Sequence, residues 1–162
     1  MRKPPYTITS KILNQVSVIS ELISDVKHID KTTNTMKLRK KNQIRSITGT
    51  LQIEGNTFDE EQVAGIINGT TVFGTTREIE EVKGAVKAYD NLNKYNYKNE
   101  KDLLLAHKYL MQNLLENAGR YRSGNVGVGG KNGVTHIATP ANMVPELMGE
   151  LFEWVKTTKE HM

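Results

Sequence analysis

Apolar residues recur at three- and four-residue spacing along most of this chain, and that repeat permits little besides packed helices. Ile12, Leu13, Val16, Ile19, Leu22, Ile23 and Val26 form one helical face, which Thr9 or Ser10 is placed to cap. A polar break over 30–34 precedes a second helix predicted over 35–54, with Met36, Ile44, Ile47 and Leu51 on its apolar side, extended by Leu38. Gly49 inside that helix costs about 1 kcal/mol relative to alanine, which points to the close approach of another backbone. Thr57-Phe-Asp-Glu60 fits a capping box, with Thr57 as the cap. It opens a short helix with Val63, Ile66 and Ile67 inward, ending at Asn68-Gly69. After a linker over 70–76, the spacing of Ile79, Val82, Val86 and Tyr89 predicts a helix over 77–92, and a polar loop follows over 91–99. Asn99 with Asp102 opens the next helix, whose core face is Leu103, Leu104, His107, Leu110, Met111, Leu114 and Leu115. Thr139-Pro140 restarts helical signals, and Val144, Leu147, Leu151, Trp154 and Val155 make a last stripe, with Pro145 tolerable in its first turn.

One stretch breaks this pattern. Residues 119–137 are glycine-dense, and their middle reads Gly124-Asn-Val-Gly-Val-Gly-Gly-Lys-Asn-Gly133. Val126 and Val128 alternate, a turn falls over 129–133, and Val134 and Ile137 follow, which is a hairpin signature. Two short strands are marginal alone, so the hairpin is expected to lie on the helices. The sum is a mainly α fold of six helices and one hairpin, with no internal repeat and no low-complexity segment.

The 162 residues suffice for one domain with a sizeable core, and 37% hydrophobic with 25% charged residues is the balance of a soluble globular protein. There is no cysteine, so disulfides, thiolate metal sites and thiol catalysis are excluded. The basic start lacks the apolar core of a signal peptide, and no apolar run approaches the roughly 18 residues of a membrane span. A cytoplasmic location follows by default, with no membrane partner. The net charge of +4 is mildly basic. Its clearest run, Lys37-Leu-Arg-Lys-Lys41, has no interleaved aromatic platform, so a solvated face is the expected reading and a nucleic-acid partner is not.

No catalytic constellation emerges. His28, His107, His136 and His161 share no metal-ligand spacing, so no metal site is expected. His107 on an apolar face reads as a satisfied core histidine, and His136 as either strand surface or site wall. The serines lack a nucleophile elbow, and the glycine runs are not followed by the Lys-Ser or Lys-Thr of a phosphate loop. What does stand out is Glu54. It ends the second helix, just before Gly55 and Asn56. An acid there runs against the helix dipole by a few tenths to about 1 kcal/mol, which asks for a cation facing the helix end.

Thr50-Leu-Gln-Ile-Glu54-Gly55-Asn56 resembles the inhibitory-helix motif of Fic-domain proteins, Ser/Thr-x-x-x-Glu-Gly/Asn. Further pieces fall in that family's order: Thr57-Phe-Asp-Glu-Glu-Gln-Val63, Arg77-Glu-Ile-Glu-Glu-Val82, Ala106-His-Lys-Tyr-Leu-Met111, Ala118-Gly-Arg-Tyr-Arg-Ser-Gly-Asn-Val-Gly-Val128, Thr135-His-Ile-Ala-Thr-Pro140 and Val144-Pro-Glu-Leu-Met148 through Trp154. The opening Pro4-Pro-Tyr-Thr-Ile-Thr9 is similar to the start of bacterial members. The resemblance covers nearly the whole chain.

It implies a Fic-like helical bundle with one β-hairpin, incomplete as it stands. Residues 1–56 would hold the N-terminal helices with the inhibitory helix, and 57–162 the first part of the core with a flap hairpin over 124–138. The activity it implies is transfer of AMP from ATP, with magnesium, to a hydroxyl of a target protein; in some members the reverse hydrolysis dominates. The family's motif His-Pro-Phe-x-Asp/Asn-Gly-Asn-Gly-Arg does not occur in this sequence. The chain is therefore expected to be inactive alone, to bind neither ATP nor magnesium tightly, and to be a fragment or a truncated product. The apolar faces of 103–115 and 147–155 are expected to lack cover, unless a second copy or the remaining segment supplies it. By the resemblance, Glu54 pairs with an arginine that otherwise grips the ATP γ-phosphate, and Thr50, Gly55 and Asn56 place that helix end. Val126, Gly127, Val128, Thr135, His136 and Ile137 would belong to the flap, which docks the target backbone as an added strand. The alternative is a non-catalytic regulator that uses the inhibitory helix in trans.

Overall fold

A computed structural model of the chain describes residues 6–28, 34–130 and 133–158. The predicted break at 30–34 lies almost wholly outside these residues, as do Lys131, Asn132 and His161. Among the described residues there are six α-helices and one hairpin: α1 (Ser10–His28), α2 (Asn34–Ile53), α3 (Glu60–Ile67), α4 (Thr76–Asp90), α5 (Glu100–Met111), strands β1 (Gly127–Gly130) and β2 (Gly133–Ile137), and α6 (Val144–Thr157). Short 3₁₀ turns at Leu92–Lys94 and Ala141–Met143 interrupt the connections. No described helix is long and apolar enough to cross a membrane. The chain forms two compact units, Met1–Lys41 and Asn42–Met162, so the division falls inside α2.

The first unit contains α1, capped as its sequence predicts: the Ile12 amide donates to the Thr9 hydroxyl at 3.3 Å. Its apolar stripe from Ile12 to Val26 is exposed throughout. Met36 and Leu38, expected on the apolar side of α2, are exposed as well, at 76% and 57%. Only the second half of that helix enters a core.

That core belongs to the second unit. Ile47 and Leu51 of α2, Phe58, Val63 of α3, and Val82 and Ala85 of α4 form one buried cluster, flanked by half-buried Ile44, Ile66, Ile67, Ile79, Val86 and Leu110. The space around Gly49 is open, so no backbone approaches it, contrary to expectation. The close approach occurs at Gly84 instead. A Cβ built there would lie 2.4 Å from the Leu110 carbonyl oxygen of α5. The glycine lets α4 and α5 touch through their backbones. Glu80 accepts from Asn113, Lys87 donates to Gln112 at 3.0 Å, and the Lys87 ammonium sits 4.9 Å from the Tyr109 ring centre. Gly84→Ala should destabilise the protein by about 1–3 kcal/mol, because a backbone carbonyl cannot move aside and this outweighs alanine's better helix propensity of about 1 kcal/mol. A lowered urea midpoint with an unchanged slope checks it.

Three further expectations need correction. The capping box before α3 is two residues later than predicted: Asp59 caps, accepting from the Gln62 amide at 2.8 Å, while Gln62 accepts from the Asp59 amide at 3.0 Å. Thr57 is engaged elsewhere. The helix opened by Asn99 ends at Met111, so Leu114 and Leu115 lie past it; on α5 Leu103 is exposed and no residue is fully buried, and Leu115 is exposed too. On α6, Leu147 and Leu151 are exposed and the buried residue is Phe152, outside the predicted stripe. Apolar side chains wrap more than one face of α6, and spacing alone does not say which face meets the core. The open surface expected over 103–115 and 147–155 is present at Leu103, Leu105, Leu115, Leu147 and Leu151.

Candidate functional site

The end of α2 is built by local chemistry. Gly55 adopts φ +92°, a left-handed conformation that glycine takes without strain. The Asn56 amide then donates back to the Leu51 carbonyl at 3.0 Å and the Gly55 amide to the Gln52 carbonyl at 3.1 Å. These two bonds form a complete Schellman turn, with Glu54 at the C-cap position. One turn earlier, the Thr50 hydroxyl donates to the Ser46 carbonyl at 2.8 Å. The Glu54 carboxylate is exposed and has no partner among the described residues. A well-ordered turn therefore presents an unpaired acid.

Asn56 ties this turn to the core. It is only 5% exposed, and its side chain is fully used. Its amide group donates to the Glu78 carbonyl at 3.2 Å and to the Glu81 carboxylate at 2.9 Å, while its oxygen accepts from the Phe58 amide at 3.0 Å. Gln52 adds a bond to the Phe58 carbonyl at 3.0 Å. Glu81 is itself paired with Arg77 at 2.9 Å.

Glu78 completes the junction. One carboxylate oxygen accepts from the Thr57 hydroxyl at 2.6 Å and the Thr57 amide at 3.2 Å. The other accepts from the Thr75 hydroxyl at 2.7 Å and the Thr75 amide at 3.1 Å, closing the capping box of α4. The Thr57 hydroxyl, then the Thr75 hydroxyl and the two amides, lower the Glu78 pKa from 4.5 to about 2 against a small opposing effect of burial. The folded state thus prefers the charged form. Its stabilisation is fully present above about pH 4.5 and is lost as pH falls towards 2. Glu80, lowered in the same direction by Lys83 and Asn113, contributes alongside it. The thermal midpoint should therefore fall across this window, and Glu78→Gln should shrink that fall; an unchanged acid slope in the variant counts against the linkage.

The hairpin pairs Gly127 with Ile137, Val128 with His136, Gly129 with Val134 and Gly130 with Gly133, in antiparallel register. A bulge between Val128 and Gly129 leaves Thr135 as the extra residue. The Ala138 amide extends the ladder to the Val126 carbonyl at 3.1 Å. Val126, Gly127, His136 and Ile137 are all exposed, Ile137 at 78%. The hairpin therefore presents these residues to solvent, and among the described residues no helix packs against its strands, contrary to expectation. Its base is what holds it. Arg122 donates to the carbonyls of Gly124, at 2.9 Å, and Thr139, clasping both ends. Asn125 accepts from the Ala141 amide at 2.8 Å. Just before this clasp, Tyr121 donates to Glu100 at 2.8 Å, and burial together with that acid pushes the phenol up to about 12.

His107 is a half-buried residue whose Nδ1 accepts from the Gly119 amide at 2.8 Å, the satisfied role expected of it. No described hydrogen bond or ion pair joins the α2 end to the hairpin. The described residues also contain no cluster of three acidic or histidine side chains able to hold a metal. Sequence reading missed Arg122, Asn125, Glu78 and Glu81. The pattern Thr75-x-x-Glu78 was a visible cap signal; that the same carboxylate also reaches Thr57 was not.

No protein-family model matches the chain, and no curated protein matches it. Solved structures do. A Fic family protein from Desulfovibrio desulfuricans G20 superposes with a TM-score of 0.90 at 43% identity, covering 99% of this chain and 49% of that one. The chain belongs to the Fic family. Fic-1 from C. elegans, residues 134–508, matches with a TM-score of 0.70 over 91% of this chain and 46% of its own, and at 22% identity it speaks for the fold alone. So does a Fic domain containing signaling protein from Bacteroides thetaiotaomicron VPI-5482, at 0.71 and 18% identity over 85% of this chain and 55% of that one. This Fic chain spans about half the length of the structures it matches.

Proposed function

We propose that this chain is the regulatory and target-docking part of a Fic protein that transfers AMP from ATP to a hydroxyl of a target protein. The observation that carries the reading is Glu54: an unpaired, exposed carboxylate fixed at a helix end by a complete Schellman turn and a buried asparagine. An acid held so firmly against the helix dipole fits a partner that is a cation outside the described residues. An arginine that grips a phosphate meets that description, because carboxylate and phosphate compete for one guanidinium fork. The described residues do not supply a magnesium ligand set or a phosphate cradle, so no step through ATP or magnesium is assigned to them. Their proposed work is to hold Glu54 against the arginine and to offer the open edges of β1 and β2 to a target backbone.

Purified chain incubated with labelled ATP and candidate targets should transfer no AMP; transfer by the chain alone overturns this division of labour. The exposure of Glu54 also supports action in trans. Under that second reading the chain silences a separate, active Fic protein and loses the effect on Glu54→Gly.

A further inference from the structure

We propose that Thr57 and Glu78 are positioning residues for the Glu54 carboxylate, acting through the turn that carries it. This rests on the reading of Glu54 as an inhibitory acid and adds the parts that aim it. The Schellman turn fixes Glu54 relative to α2, but it does not fix the end of α2 relative to the rest of the core. Ile47 and Leu51 pack the last turns of α2 into the core, and the side chains just past the turn fix its exit. Asn56 and Thr57 both reach the first turns of α4, at Glu78 and Glu81.

The division of labour within Glu78 is informative. A capping box at the start of α4 needs only the oxygen that faces Thr75. The second oxygen is free of that duty, and it takes both the amide and the hydroxyl of Thr57. One carboxylate thereby joins the exit of α2 to the entry of α4. Thr57 lies three residues from Glu54, and the intervening Gly55 is the most permissive point of the segment. Without the Thr57 anchor, Asn56 alone ties the exit of α2 to α4, and the turn at Gly55 that carries Glu54 loosens. A bidentate acid–guanidinium pair tolerates little of that, since its two bonds share one plane.

The test is a set of variants in the complete protein, read by AMP transfer and by amide exchange. Thr57→Val keeps the shape and removes the hydroxyl donor. It should raise AMP transfer by about three- to tenfold and speed exchange of the Asn56 amide by a similar factor. Thr57→Ser keeps the hydroxyl and should keep the repression. Glu54→Gly with Thr57→Val should transfer AMP no faster than Glu54→Gly alone, because both act on one contact. Asn99→Ala removes a helix cap elsewhere and should leave repression intact. The positioning role is overturned if Thr57→Val stays at the wild-type rate while Glu54→Gly rises. It is equally overturned if Asn99→Ala or Thr57→Ser rises as far as Thr57→Val, since the effect is then general loosening. No rise with Glu54→Gly removes the inhibitory reading itself, and the positioning role with it.

Discussion

Glu54→Gly in the complete protein should raise AMP transfer by about 10- to 100-fold, the range of a coupling of roughly 1–3 kcal/mol between two competing states. The carboxylate is exposed and pairs with no described residue, so its removal breaks nothing that holds this chain together. It also sits at the negative end of the helix dipole, where its loss relieves a few tenths of a kcal/mol that offset the added backbone freedom of glycine. Stability should thus hold, with a thermal midpoint within about 2 °C of wild type. A residue whose loss increases activity at constant stability restrains the reaction and does not build the fold. A flat activity profile shows that Glu54 restrains nothing; a large drop in midpoint shows that it is a structural acid after all. Assays at several ATP concentrations, with product identified by mass, separate faster transfer from tighter nucleotide binding.

Ile47→Ala carries the largest expected cost in stability. Ile47 is fully buried, at 0% exposed, in the cluster with Phe58, Val63 and Val82. Deleting a core isoleucine to alanine costs about 2–5 kcal/mol, from lost transfer energy and from the cavity left behind. Against a total of about 5–15 kcal/mol that is a large share. The midpoint should fall by about 6–15 °C in a chain of this length. Met36→Ala is the comparison. It sits on the same helix at 76% exposed and should stay within about 0.5 kcal/mol of wild type. Equal losses at the two positions are incompatible with a core that begins only in the second half of α2. Because Ile47 pins the half of the helix that ends at Glu54, the variant should also show faster amide exchange at Gly55 and Asn56.

The helices were legible because their spacing is a local property. The face of α4 at Ile79, Val82, Val86 and Tyr89, and the cap at Asn99, are where the pattern puts them. The hairpin was legible too, since alternating valines around glycines leave few other options. What failed depended on distant partners. Thr57 looked like a helix cap until Glu78, 21 residues away in sequence, took its hydroxyl. Gly49 looked like a contact point, yet it faces open space, while Gly84 meets the Leu110 carbonyl. Phe152, not Leu147 or Leu151, found the core.

The amino-acid order alone therefore determined the elements, the family and the acid at the end of α2, because propensity and motif order act over a few residues. The tertiary structure alone decided which faces are buried, how Arg122 clasps the hairpin, and how Glu78 joins two helix ends. Those outcomes depend on which groups meet across long stretches of chain, and a carboxylate with two oxygens can serve two partners that no spacing rule connects.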